Sequence, residues 1–381
     1  MSNSKVNSPK HTRRQSIRPS SHVKLFIPGP TEVRPEILDA QAQWMVGHRM
    51  PECADLIGRI QPKLQQVFYT EKRVLISAST GTGFMEGAVR NCVGNKVLNC
   101  VNGAFSDRMR EITEANGKAN EVLEVEWGQA ILPEKVADRL AGGEFDAVTL
   151  AHNETSTGVA SPVREIAETV RSLPDGEAIT VIVDAVSSLG GARLDFDAWD
   201  LDVLFTSSQK AFALPPGLAF CAVSDRAMAK ARTVPNRGYY FDFLTLEKYL
   251  LKNQTPATSA ISLLYALDQQ LDDMLAEGLE ARFARHLAMR DRTLEWARSC
   301  GFTIFAAEGY ESPTVTCVNN NLDIDIPALN SYLRERGMIV SNGYGSRLKN
   351  KTFRIAHMGD LQIDDMDALF DAINGFLEQV S

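Results

Sequence analysis

Paired cysteines, long apolar runs and surplus positive charge are all scarce in this chain of 381 residues. The six cysteines (Cys53, Cys92, Cys100, Cys221, Cys300, Cys317) are scattered, with no CxxC pair and no Cys/His cluster, so no metal is expected. Several lie in apolar strand-like runs, where a reduced, buried thiol is the ordinary state, and a cytoplasmic setting is expected. No apolar run approaches the ~18 residues of a membrane helix, so no membrane partner is expected. Lys and Arg number 40 against 48 Asp and Glu, a net charge of -8, which argues against a nucleic-acid partner. Acidic residues are missing altogether before Glu32. The first 23 residues carry Lys5, Lys10, Arg13, Arg14, Arg18 and many serines; they read as a disordered basic tail, with a targeting address as the alternative.

What is present is a core and a rhythm. At 44% hydrophobic, the chain can fill one large unit and a smaller one. Short apolar runs recur at Val74-Leu75-Ile76, Val97 to Val101, Val122 to Val125, Ala147 to Leu150, Val181-Ile182-Val183, Val203-Leu204-Phe205 and Leu218 to Val223. Helix-period stretches such as Pro133 to Leu140 and Val163 to Arg171 lie between them. This βαβα order predicts an α/β fold, a mostly parallel sheet covered by helices. After about residue 260 the pattern changes. A long helical stretch from Ser259 to Ala297 is followed by strands at Phe302 to Phe305, Val315 to Val318 and Phe353 to Ile355, and by helices at Ile326 to Arg336 and Met366 to Val380. We expect a large unit over 24–260 and a smaller α+β unit over 261–381.

Lys210 stands among hydroxyls, small apolar groups and a turn, in Thr206-Ser207-Ser208-Gln209-Lys210-Ala211-Phe212, with no carboxylate beside it. Such a lysine loses its proton readily and forms an imine with a carbonyl. Asp184 emerges from the β-branched run Val181-Ile182-Val183. Taken singly, Asp184 is also a helix cap or surface acid, and Lys210 an ion-paired lysine. Both fall at strand ends of one sheet, where α/β folds bind ligands. A reactive lysine with a carboxylate partner for a pyridinium nitrogen points to pyridoxal 5'-phosphate.

Other strand ends carry further candidates. Ser77 to Gly87 follows a strand and opens a helix, and its hydroxyls and free N–H groups suit a phosphate. A tight structural turn is the alternative. The glycines at 81, 83 and 87 do not match GxGxxG, and no GK[ST] occurs, so neither nucleotide motif is present. Phe105, in Asn102-Gly103-Ala104-Phe105, either stacks on a flat ring or belongs to the core. His152 to Gly158 supplies hydroxyls and an amide for a ligand, or turn and cap residues. Arg354, inside the apolar Phe353-Arg354-Ile355, needs a counter-charge: a substrate carboxylate or a structural partner.

Together these segments resemble the class V aminotransferases, the group of alanine–glyoxylate, serine–glyoxylate and serine–pyruvate aminotransferases. The resemblance runs from Leu25-Phe26-Ile27-Pro28-Gly29-Pro30-Thr31 to the C-terminus. Ser208-Gln209-Lys210 with Pro215-Pro216-Gly217, Asp184 to Gly191, and Glu154-Thr155-Ser156-Thr157-Gly158 carry it most specifically. It implies the type I pyridoxal-phosphate fold and a homodimer with shared active sites. It further implies that Lys210 holds the cofactor and Asp184 partners its ring nitrogen, with Val186 and Phe105 on the two ring faces. Thr80, Gly81, Thr82 and Gln209 match the phosphate ligands, and Thr255 matches one donated by the partner subunit. Thr155 matches the hydroxyl near the ring oxygen, Arg354 the substrate-carboxylate arginine, and Gly29 the substrate loop. Thr82 and Phe105 stand where alanine–glyoxylate enzymes carry histidine and tryptophan. Gly47-His48-Arg49 resembles a segment of members with varied amino donors. The activity implied is amino transfer from a small L-amino acid (alanine, serine or aspartate) to a 2-oxo acid such as glyoxylate or pyruvate. Within the same chemistry a cysteine desulfurase is the rival, with Cys317 its only near nucleophile. A non-catalytic interaction protein is the rival from another class.

Overall fold

The computed structural model describes residues 22–380, so the tail expected over 1–23 falls, for residues 1–21, outside the described residues. The strands in chain order are β1 (Lys24–Phe26), β2 (Arg73–Ser77), β3 (Lys96–Val101), β4 (Ala119–Glu124), β5 (Ala147–Ala151), β6 (Asn153–Glu154) and β7 (Val159–Ala160). They continue with β8 (Thr180–Asp184), β9 (Val203–Ser207), β10 (Ala219–Val223), β11 (Val315–Asn319), β12 (Met338–Asn342) and β13 (Thr352–Ala356).

Seven strands form the larger sheet in the order β2-β10-β9-β8-β5-β3-β4. Only β10 runs against its neighbours; the other pairings are parallel. Strands of a parallel sheet are covered on both faces, which is why they read as unbroken apolar runs rather than alternating ones. In β8, Val181 and Val183 pack into one core and Ile182 into the core on the opposite face. The helix Gly81–Cys92 follows β2 and the helix Ala104–Ala115 follows β3. The loops after the mutually parallel strands therefore open at one sheet edge, outside those strands' carboxyl ends, and only the turn from β10 into the helix Asp225–Thr233 lies at the opposite edge.

A second sheet has the order β1-β12-β13-β11. Its first strand comes from the start of the described chain: β1 runs parallel to β12, with Lys24 opposite Met338. Phe26 thereby joins a separate core with Phe353 and Phe370, where Trp296 stacks on Phe370 with ring centres 4.6 Å apart.

Two expectations for this region are corrected. The helix expected from Ser259 to Ala297 is two helices, Ile261–Glu277 and Leu279–Ser299, broken at Gly278, whose φ of 84° lies outside the helical region. The strand expected at Phe302 to Phe305 reduces to a single bridge, Ile304 to Val318. Among the described residues no helix is long and apolar enough to cross a membrane.

Candidate active site

One cavity of about 290 Å³ opens at the carboxyl ends of the larger sheet. Gly29, Thr80, Gly81, Thr82, Phe105, Asp184, Val186, Gln209 and Lys210 all line it, joined by Pro30, Met85, Arg108 and Pro216. Nine of the residues singled out from sequence are thus brought together from five separate segments.

Asp184 is the last residue of β8, and its Oδ1 accepts from the Val186 N–H at 2.8 Å. Burial pushes its carboxyl up to about 7, against the lowering effect of that N–H and of Lys210. Lys210 sits three residues past β9, in a turn closed by the Ala213 N–H to its own carbonyl at 2.8 Å. Burial brings its amine down to about 8, and the Arg354 charge acts in the same direction. A lysine and a carboxylate with values this close to neutrality can exchange protons at working pH.

The loop after β1 clamps this lysine. The Lys210 Nζ donates to the Pro28 carbonyl, and the Thr31 hydroxyl donates to the Lys210 carbonyl at 2.9 Å. At Gly29, with φ of 139°, a Cβ would lie 2.7 Å from the Lys210 Nζ, so only glycine passes here. Arg34 anchors the far end of the loop, 2.6 Å from both Asp360 and Asp273.

Thr80 precedes the helix Gly81–Cys92, and no side chain caps its end. Its first N–H groups face the cavity with the dipole's positive end. Beside them, Ser207 Oγ and Gln209 Oε1 are buried with no partner among the described residues. A Cβ on Gly81 would lie 2.4 Å from Val186 Cγ2. Free N–H groups, unused polar atoms and a missing side chain leave a cup for an anion such as a phosphate.

Phe105 owes its position to a residue the motif contained but whose role was not foreseen. Glu154, fully buried, accepts from the Phe105 N–H at 3.1 Å and the Ser106 N–H at 2.8 Å, fixing the start of the helix Ala104–Ala115. Gly103 makes room, since a Cβ there would lie 2.3 Å from Glu154 Cγ.

Three expected residues stand outside the cavity wall. Thr155 lies behind it, its hydroxyl donating to Ser187 Oγ at 2.7 Å. Arg354, in β13, donates Nη1 to the Thr155 carbonyl at 3.2 Å and Nη2 to the Asn342 carbonyl at 3.3 Å. Thr255 does not line it and belongs instead to a separate apolar surface with Tyr239, Tyr240 and Pro256. Arg49 fixes that segment by donating to the Thr255 carbonyl at 2.7 Å and the Pro256 carbonyl at 2.9 Å. Two cavity neighbours were missed from sequence. Arg108 lies three residues after Phe105, and Tyr344 packs its ring 5.0 Å from that of Phe105.

Amine, carboxylate and anion cup, all at the mouth of a parallel sheet, fit a phosphorylated pyridine aldehyde, and fold and site together define a pyridoxal-phosphate enzyme. More narrowly, the chain belongs to the class V aminotransferases: the family model matches residues 45–358. It is 39% identical over 340 residues to an uncharacterized aminotransferase of Methanocaldococcus jannaschii, covering 88% of this chain and 87% of that one. It is 36% identical over 350 residues to a protein of Anabaena cylindrica named soluble hydrogenase 42 kDa subunit, covering 91% of this chain and 90% of that one. The alanine–glyoxylate aminotransferase structure from Nostoc sp. superposes with a TM-score of 0.88 at 29% identity, covering 98% of this chain and all of that one. The desulfurase alternative is not favoured. Cys317 is fully buried in β11, its thiol pushed up to about 11 by burial and directed at the Ser156 carbonyl.

Proposed function

We propose that this aminotransferase moves the amino group of a small L-amino acid, alanine, serine or aspartate, to glyoxylate or pyruvate by a ping-pong mechanism. The observation that carries this reading is the pairing of Lys210 with Asp184 in one cavity, the amine lowered to about 8 and the carboxyl raised to about 7. Pyridoxal phosphate, when bound, supplies the aldehyde that takes up the amino group and the ring that accepts the electrons of the broken Cα–H bond. Asp184 holds a proton at the ring nitrogen. Lys210 carries the α-proton from the substrate carbon and returns it on the way to product. Thr80, Gly81, Thr82 and Gln209 would hold the phosphate, Phe105 and Val186 would flank the ring, and Thr155, behind the cavity wall, would stand on the ring-oxygen side. Arg354 binds the α-carboxylate, and the Gly29 loop excludes water on that side.

A homodimer accounts for two further facts. Thr255 lies away from its own chain's cavity, as a residue serving the partner's phosphate would. Trp44, Met45, Tyr239 and Leu251 are exposed, Trp44 by 93%, and a partner subunit would cover such apolar side chains. Six free cysteines accord with a reducing cytoplasm.

The test is the visible absorbance of the purified protein during additions of L-alanine, L-serine, L-aspartate and L-cysteine in turn. One donor should abolish the cofactor band, and glyoxylate or pyruvate should restore it. No band after added pyridoxal phosphate, or sulfide release from cysteine, overturns the reading.

A further inference from the structure

Arg108 shares the cavity with Lys210 and Asp184. The helix fixed by Glu154 carries it one turn past Phe105, and its guanidinium lies 4.8 Å from the centre of that ring. Nη2 donates to the Tyr344 hydroxyl at 3.0 Å. Among the described residues Arg108 forms no ion pair, and this is its one hydrogen bond. A guanidinium has five donors, so most of its capacity is unused.

Arg354 is in the same condition. It is 8% exposed, and the partners of its guanidinium are the main-chain carbonyls of Thr155 and Asn342. The guanidinium lies 5.3 Å from the Tyr344 ring. Two cations without carboxylates therefore flank one tyrosine beside the reactive lysine. Enclosing the Arg354 cation without a counter-ion is costly, and the half-buried Arg108 stands at the same tyrosine with donors to spare, so both positions suit an anion. Every amino acid brings one carboxylate at its α-carbon, and one arginine suffices for it. The second arginine calls for a second anion, carried on the substrate's side chain.

We propose that Arg108 is a specificity-determining residue that grips the distal carboxylate of a short dicarboxylate, making acidic amino acids such as aspartate the preferred donors, with Tyr344 as the residue that positions it. This rests on the transaminase reading of the same site and narrows its substrate class. Arg108 lies on the helix that carries Phe105, whereas Tyr344 comes from the segment after β12. Tyr344 meets Arg108 through its hydroxyl and Arg354 through its ring, so one side chain stands between the two cations.

Two measurements on the holoenzyme test this. Steady-state kinetics with L-aspartate and L-alanine give the ratio of their kcat/KM values. Arg108→Gln should lower the aspartate-to-alanine ratio at least about tenfold, chiefly through the KM for aspartate. Calorimetric titration with maleate and propionate, neither of which reacts, reads binding alone. Maleate should bind wild type at least about tenfold more tightly than propionate, and Arg108→Gln should lose that preference. Tyr344→Phe, which keeps the ring and removes only the hydroxyl, should lower both ratios in the same direction, and it decides the matter if Arg108→Gln fails to fold. The proposal is overturned if wild type binds maleate no better than propionate. It is equally overturned if both ratios survive within about twofold in the folded variants. Failure of the transaminase reading would show separately, as a cofactor band that no amino acid removes, and the maleate preference would still judge Arg108.

Discussion

Replacing Asp184 with asparagine should make the cofactor-free protein more stable while ruining the enzyme. In the folded protein without cofactor, burial holds the Asp184 carboxyl at about 7, whereas an unfolded chain releases that proton near 3.8. Between these values the folded state binds the extra proton, so stability falls as pH rises, and the loss is complete above about pH 7. The rise from 3.8 to about 7 corresponds to roughly 4 kcal/mol as an upper bound. Asparagine removes the charge, keeps the shape and can still accept from the Val186 N–H. At about 2.1 cal/mol/K per residue, a chain of 381 residues shifts Tm by about 1 °C for each 0.8 kcal/mol, so the variant should melt about 2–5 °C higher at pH 8. The gap should shrink to less than half at pH 5, where wild type is largely protonated. Bound cofactor reverses the order, because a protonated ring nitrogen gives wild type the counter-charge and leaves the variant without it. The assay is thermal melting by circular dichroism at pH 5 and pH 8, with and without pyridoxal phosphate. A cofactor-free variant no more stable than wild type at pH 8, or a gap independent of pH, would refute the assignment of Asp184 as a buried charge awaiting a cation.

Two substitutions separate the remaining roles. Arg354→Gln should raise KM for amino donor and oxo acid together by about 10–100-fold, the loss of a charge-assisted hydrogen-bond pair, while the cofactor's visible band persists; an unchanged KM in steady-state assays counts against the carboxylate role. Gly81→Ala places a methyl 2.4 Å from Val186 Cγ2 at the mouth of the anion cup, so fluorescence titration should show pyridoxal phosphate binding weakened about tenfold or more in a protein whose circular dichroism is retained. Undiminished affinity would mean that the phosphate sits elsewhere.

The larger sheet was legible because parallel strands leave a strong trace: β5, β8, β9 and β10 are buried throughout and read as unbroken apolar runs. The site was legible where strand ends and turn chemistry coincide, at Thr80 to Thr82, at Asp184 and at Gln209-Lys210. Arg108 carried no motif, yet its spacing of three from Phe105 on a helix placed both on one face, a signal that was available and not used. Tyr344 offered none, since it meets Arg108 across 236 residues of chain and only the folded structure brings them together. Glu154 was visible as part of a motif, but its work at the start of another helix depends on Gly103 standing aside. The break at Gly278 was hidden because apolar spacing continues on both sides of it, and one glycine is a weak interruption of a helical pattern.

The pairing of β1 with β12 also sets an order of events during synthesis. Every strand of the larger sheet has left the ribosome once residue 223 has emerged, and that sheet can close early. Strand β1 precedes that sheet in the chain, but its partner, Met338 to Val340, follows it. The loop that closes on Lys210 hangs from β1, so the lysine stays unclamped until then. A nascent chain can thus own the whole larger sheet and still have no working pocket, and capture of the cofactor waits for the segment that carries β12.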